Sequence, residues 1–233
     1  MKMIPGLVLV TLLSAAALPA AAKTSQVYSY IITHPVYGAI GTYERSSSDF
    51  DGLTRADAHL RIVVRVLGLV VRRETSDQTE VWRAHRLISF ESLTSTNGKP
   101  STIRGVTAGD GFAVTTSSGT KTAPGDVFAS DPWFLNRIGH GSVVSTRTGE
   151  VSSVEVTGGE ADRVLLHGVS EPARHYHVNS ARQPNKWEVW INSRGVPIKF
   201  RSSETGGAID FTLVSAPPAA GEPTDAAALE HDH

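Results

Sequence analysis

The most regular feature of the chain is an alternation of apolar and polar positions with a period of two. From His59 to Val66, the residues Leu60, Ile62, Val64 and Val66 fall on one side, and His59, Arg61, Val63 and Arg65 on the other. Successive side chains of a strand point to opposite faces, so this stretch predicts a half-buried strand. A rival reading starts from Thr54-Arg55-Ala56-Asp57, which has the form of a helix capping box. A helix running on to Val71 would have to carry a series of valines and Gly68, and both residue types oppose helix. The strand is preferred. The same alternation returns near the end. Trp187, Val189 and Ile191 alternate with Glu188, Trp190 and Asn192; Ile198 and Phe200 with Lys199 and Arg201; Ile209, Phe211 and Leu213 with Asp210 and Thr212. Arg194-Gly195 and Gly206-Gly207 separate these runs, which predicts an antiparallel meander.

Shorter runs rich in Val, Ile, Thr, Tyr and Phe fill the body: 27–32, 39–43, 80–84, 86–94, 101–107, 112–116, 142–146, 151–157, 164–168 and 173–179. Turn signals separate them, Asn97-Gly98 being the strongest. Only 123–139 lacks alternation; it holds Pro124, Asp131, Pro132, Trp133 and Phe134 and predicts a short helix lying on the sheet. The expected fold is all-β: a single large, strongly curved antiparallel sheet or open barrel built from sequential hairpins, with one short helix. A sheet this wide must curl or close, because flat open edges invite aggregation.

The ends read differently. Lys2 is followed by the apolar run 7–13, then Pro19 and the small residues Ala20-Ala21-Ala22. This is the pattern of a secretory signal peptide over 1–22, with the mature chain starting at Lys23 and its β-rich domain spanning 23–215. The uncharged stretch 3–22 is also long enough for an anchor helix, but its Pro- and Ala-rich end favours cleavage. No later segment has the length and apolarity of a membrane-crossing helix, so no transmembrane span is expected in the mature chain. Residues 216–233 are rich in Ala and Pro and predict a disordered tail. Glu230-His231-Asp232-His233 within it would hold a metal only loosely, and a solvated terminus is the simpler reading. The expected location is therefore the periplasm or the exterior.

Charge narrows the partners. Removing Lys2 leaves 21 basic against 23 acidic residues, a net charge of −2. That balance offers nucleic acid no basic surface and acidic lipids no polybasic patch. With no cysteine, the chain has no disulfide, no thiolate ligand and no site for lipid attachment through an N-terminal cysteine.

Several short motifs occur in a characteristic order. They are Gly38-Ala39-Ile40-Gly41-Thr42, Glu80-Val81-Trp82, Arg86-Leu87-Ile88, Ser95-Thr96-Asn97-Gly98-Lys99, Asp131-Pro132-Trp133, Thr146-Arg147-Thr148-Gly149-Glu150, Trp190-Ile191-Asn192 and Gly195-Val196-Pro197. In these the chain resembles an uncharacterised family of exported bacterial β-proteins, domain of unknown function 6134, over about Tyr28 to Leu213. The resemblance implies a β-fold and export, and carries no catalytic role to any residue. A more distant likeness is to periplasmic carriers in which a curved sheet holds a lipid chain; that is an analogy of fold.

Catalytic signatures are missing: no G-x-S-x-G elbow, H-E-x-x-H helix, phosphate loop or Rossmann glycine pattern occurs. Gly139-His140-Gly141-Ser142 places a His beside a Ser, but a base and its nucleophile normally come from distant parts of a chain, and a flexible loop is the simpler reading. His175 and His177 stand two apart in a predicted strand, so both rings face one side, as two metal ligands would. A third ligand would come from a neighbouring strand, His167 or Glu188; otherwise the pair is a polar stretch of a wet face. Asp49-Phe50-Asp51-Gly52 resembles the opening of a calcium loop without its remaining ligands and reads as a turn. Arg61, Arg65, Arg72 and Arg73 form a local basic patch, read as the wet face of the long strand, paired with acids such as Glu74 or Glu80. Trp133, Trp187 and Trp190 are candidate ligand-binding aromatics, with Trp187 and Trp190 on opposite faces.

The expectation is an exported, non-enzymatic protein that binds an apolar or lipid-like molecule in its curved sheet and needs no cofactor. The alternative is an envelope structural or interaction protein that meets another envelope protein. A metal-dependent enzyme using His175 and His177 stands last.

Overall fold

The computed structural model describes residues 25–135, 139–180, 183–204 and 207–218. The segment 1–22 read above as a signal peptide and the stretch 219–233 lie outside the described residues. The described residues form fifteen strands: β1 (Gln26–His34), β2 (Gly38–Phe50), β3 (Leu53–Val66), β4 (Leu69–Arg83), β5 (Arg86–Thr96), β6 (Lys99–Ala108), β7 (Gly111–Thr116), β8 (Gly119–Pro124), β9 (Phe128–Ala129), β10 (His140–Val144), β11 (Val151–Leu166), β12 (Val169–Ser180), β13 (Gln183–Ile191), β14 (Pro197–Glu204) and β15 (Gly207–Ser215). One helical turn, α1 (Pro132–Leu135), lies between β9 and β10.

All fifteen strands belong to one sheet, in the order β8-β7-β6-β5-β4-β3-β2-β1-β15-β14-β13-β12-β11-β10-β9. Both ends of the body therefore meet in its middle, where β1 pairs antiparallel with β2 and with β15. From that seam two hairpin series run outward. The only parallel pair among the described strands is β9 with β10. The sheet curls until β9 comes near β5 and β10 near β8, but no ladder joins β8 to β9, so it is not closed. The expected curved, open-barrel sheet is the observed one.

Hairpin turns fix the register. Asp51-Gly52, Leu67-Gly68, Asn97-Gly98 and His167-Gly168 each place two residues at positive φ. That is the two-residue turn whose twist matches the flanking strands. Asp49-Phe50-Asp51-Gly52 is thus a turn, and Thr54 donates to Asp49 across it. The strands are longer than the apolar runs foretell: β4 begins at Leu69, well before Glu80, and β8 follows β7 directly.

The inner face carries two apolar cores. The larger gathers Tyr30, Ile32, Val178, Val189, Ile198 and Phe211 with their neighbours on the strands flanking the central seam. The smaller gathers Trp82, Leu87, Phe90, Ile103, Phe112 and Val144 near the sheet's edges. Between them lie buried polar groups: Arg45, Glu74, Glu80, Ser92, Thr94, Asp131 and Thr146. The short helical turn expected within 123–139 lies at Pro132–Leu135, against the inner face of the sheet, where Trp133 packs on Tyr28 at 4.4 Å and Asp131 meets Arg45.

Outside, the β3–β4 hairpin tip exposes Val66, Leu67, Leu69, Val70 and Val71, with Leu67 at 99%. Leu67 also sits at φ +50°, a conformation a leucine avoids and Asn or Gly tolerates. Leu67→Asn should therefore stabilise the fold, by about 0.5–1 kcal/mol. A raised urea midpoint with unchanged m-value is the expected reading.

Candidate functional site

The interior holds the first candidate site. Tyr43 and Arg45 project inward from β2, because the period of two that buries Tyr43 also carries Arg45 in. Arg45 Nε donates to Asp131 Oδ2 at 2.8 Å, and both side chains are buried. Asp131 also accepts from the backbone N–H of Trp133 at 2.9 Å. It thus caps the helical turn that opens with Pro132, the residue type that best suits that first position. The Arg45 guanidinium lies 4.7 Å over the Trp133 ring. One interaction set therefore anchors α1 against the inner face of the sheet, beside the cavity. Burial alone would lower the Arg45 pKa, but the adjacent Asp131, with Tyr43 and Glu80, raises it on balance.

Strand β4 supplies a polar wall. Its inward residues are Arg72, Glu74, Ser76, Gln78, Glu80 and Trp82, alternating with the outward series. Ser76 and Thr94 share a hydrogen bond at 2.8 Å across β4–β5. Glu80 accepts from Trp82 Nε1 at 2.8 Å and from Gln78 Nε2. Burial pushes the Glu80 carboxyl up to about 8; Asp131 adds to this, while Arg45, Trp82 and Gln78 oppose it. Nearer the mouth, Glu74 accepts from Arg72 at 2.6 Å and from Arg147 at 3.4 Å. Arg72 Nε is itself buried without a partner. Arg72 thus turns inward to Glu74, and the expected single basic patch divides: Arg61 faces outward beside Glu44 and Asp77. Glu80 pairs with none of those four arginines among the described contacts; it meets the Arg45–Asp131 set.

Facing this polar wall is an apolar one of Tyr43, Leu60, Trp187, Val189, Phe200 and Phe211. The walls border a half-open cavity of about 170 Å³, which Asp131 and Pro132 also line. Leu60, Glu74, Arg147, Ser202 and Phe211 also line an adjoining chamber of about 340 Å³. His34, Tyr37, Val71 and Arg72 line that chamber, so it opens at the end where the β1–β2 and β3–β4 hairpins turn. Its size lies at the lower end of the range of about 300–1,000 Å³ usual for small-molecule sites.

Of the three tryptophans singled out from sequence, only Trp187 lines this cavity. Trp133 is spent on packing: it lies between Tyr28 and Arg45. Trp190 is on the outer face, stacked on His175 at 4.0 Å and 11°. There it joins a second polar cluster. His175 and His177 project together from β12, with ring centroids 4.3 Å apart. The third group is Glu188, from β13 opposite His177; His167 sits in the β11–β12 turn and takes no part. His140 and Ser142 lie two apart on β10, with no hydrogen bond between them among the described contacts. The inward polar series of β4 and the Arg45–Asp131 pair escape a sequence reading, because a strand that buries polar side chains has no apolar alternation. The one available signal was Asp131-Pro132-Trp133, a capped helix start in a β-rich chain.

The family model described as domain of unknown function (DUF6134) matches residues 38–214. No curated protein matches the chain. Among solved structures, the chain is similar to a β-barrel-like protein of domain of unknown function DUF1849 from Brucella abortus, with a TM-score of 0.58 and 9% identity. That match covers 85% of this chain and 98% of the other, and it shows a shared fold.

Glu80 makes stability depend on pH in a defined direction. Its folded pKa of about 8 lies above the unfolded value of about 4.3, so its stabilising contribution is full below pH ~4 and falls as pH rises through 8. Urea midpoints should fall from pH 5 to pH 8 in the native chain. Glu80→Gln, which keeps the group neutral, should flatten much of that decline.

Proposed function

We propose, for a chain that belongs to the DUF6134 family, that it is an exported, non-enzymatic binding protein holding an amphipathic small molecule inside its curled sheet. The observation that carries the reading is the two-walled cavity. Tyr43, Trp187, Phe200 and Phe211 offer an apolar wall, and Glu74, Ser76, Gln78 and Thr94 a polar one. An apolar tail gains by leaving water against the first, and hydroxyl or amide groups find partners on the second. At the neck, Arg72 and Arg147 both meet Glu74, and Arg72 Nε is buried with no hydrogen-bond partner among the described residues. This favours an amphiphile with an anionic or hydroxylated head. The pattern of residues 1–22 supports export.

A second reading is contact with another envelope protein. It rests on the β3–β4 tip, where Leu67 accepts an unfavourable backbone conformation while fully exposed.

The test of the first reading is native mass spectrometry of the full chain, expressed with its leader and purified from the periplasm. A reproducible small-molecule adduct is expected in the native chain and in Trp190→Phe. Trp187→Glu, which puts a charge on the apolar wall, should reduce its occupancy at least tenfold. A clean apo mass, with no adduct taken up from a lipid extract, would exclude the binding role and leave the interaction reading.

A further inference from the structure

We infer that His175, His177 and Glu188 form a divalent transition-metal site, best suited to Zn²⁺, on the outer face of β12 and β13. Their ligand atoms all lie within 4.8 Å of one another. His175 Nε2 and Glu188 Oε2 are 3.1 Å apart. Two ligands about 2.0–2.2 Å from a tetrahedral zinc lie roughly 3.3 Å from each other, so this pair already has the required span. His177 stands beside them, and its Nδ1 is buried with no hydrogen-bond partner. A small rotation of that ring completes three ligands, two imidazoles and a carboxylate, the donor set of an open zinc site with a fourth position for water or a small ligand.

The surroundings favour the same assignment. Trp190 Nε1 donates to Asp162 Oδ2 at 2.7 Å, which fixes that carboxylate 3.8 Å from His175 Nδ1. At 3.8 Å the carboxylate makes no hydrogen bond to the ring, but its negative charge favours a proton on Nδ1 and so leaves Nε2 for a metal. The Trp190 ring, stacked flat on His175, prevents the imidazole from swinging away. Arg201 lies 3.7 Å from Glu188, but its guanidinium is engaged by Asp210 at 2.6 Å, as is Lys199 at 3.3 Å. Asp210 thus offsets one of these two cations, and a metal would share Glu188 with Arg201. An ordinary wet face of a sheet needs neither the stacked tryptophan nor the buried orphan nitrogen. The site is independent of the interior cavity, because it lies on the opposite face.

The experiment is a zinc titration of the full chain by calorimetry, with His231→Ala and His233→Ala as background so that the terminal histidines do not compete. One Zn²⁺ per chain with micromolar affinity is expected, together with a rise in melting temperature on adding zinc. In the same background, His177→Asn and Glu188→Gln should each weaken binding at least tenfold while the circular dichroism stays that of the parent. Histidine ring ¹⁵N spectra should show zinc shifting two imidazoles. Absence of binding at about 100 µM zinc would overturn the assignment. So would binding that persists undiminished in His177→Asn and in the double substitution of His175 and His177 by Asn.

Discussion

The Arg45–Asp131 ion pair is the constraint on which the interior depends. Two charges withdrawn from water cost several kcal/mol each, and their attraction returns that only with good geometry and added hydrogen bonds. Here Arg45 meets Asp131 at 2.8 Å, Asp131 caps the turn at Trp133, and Arg45 lies over the Trp133 ring. Each contact positions the next. The pair holds the segment after β9 against the inner face of the sheet, and that segment in turn lines the cavity. Hydrophobic packing alone would have filled the same space more cheaply. A fold that retains a buried ion pair beside Glu80, Gln78 and Ser76 keeps its interior partly polar, and that is what an amphipathic ligand needs.

The sheet serves two faces in different ways. Inside, two apolar cores stabilise the curl, and the polar layer between them becomes one wall of the cavity. Outside, β12 to β15 carry a dense charge network, with His175, Glu188, Arg201 and Asp210 linked across neighbouring strands. Trp187 and Trp190 sum up the division. Three residues apart on one strand, one lines the cavity and the other holds His175 in place. The fold shared with the DUF1849 protein from Brucella abortus supplies the scaffold, and the chemistry of each face belongs to this chain's own residues.

Much of the fold was legible in the sequence, for a physical reason. Where one face of a strand is buried and the other wet, the period of two appears directly, as in Leu60, Ile62 and Val64 or in Trp187, Val189 and Ile191. The hairpins announced themselves through residues that tolerate positive φ, such as Asn97-Gly98. The site was less legible. Strand β4 was visible only from Glu80 onward, because Glu74, Ser76 and Gln78 point inward without being apolar. Arg72 looked like part of a wet basic face, yet it sits opposite Val64 in the same register that sets Glu74 opposite Ile62, so it shares the inward face and turns toward Glu74. The histidine pair on β12 was readable from spacing, and Glu188 was one of two named third partners; only register separates it from His167.

The most direct test of the central claim combines Arg45→Met with Asp131→Asn. Methionine packs against Trp133, and asparagine preserves the cap of the helical turn, so the pair is removed without orphaning either partner. The account predicts a double variant within about 1 kcal/mol of the native stability, or above it. Each single variant should lose about 3–5 kcal/mol, and the cavity of the double variant should no longer retain its small-molecule adduct. A double variant that unfolds as readily as the single ones, or that keeps full ligand occupancy, would contradict it.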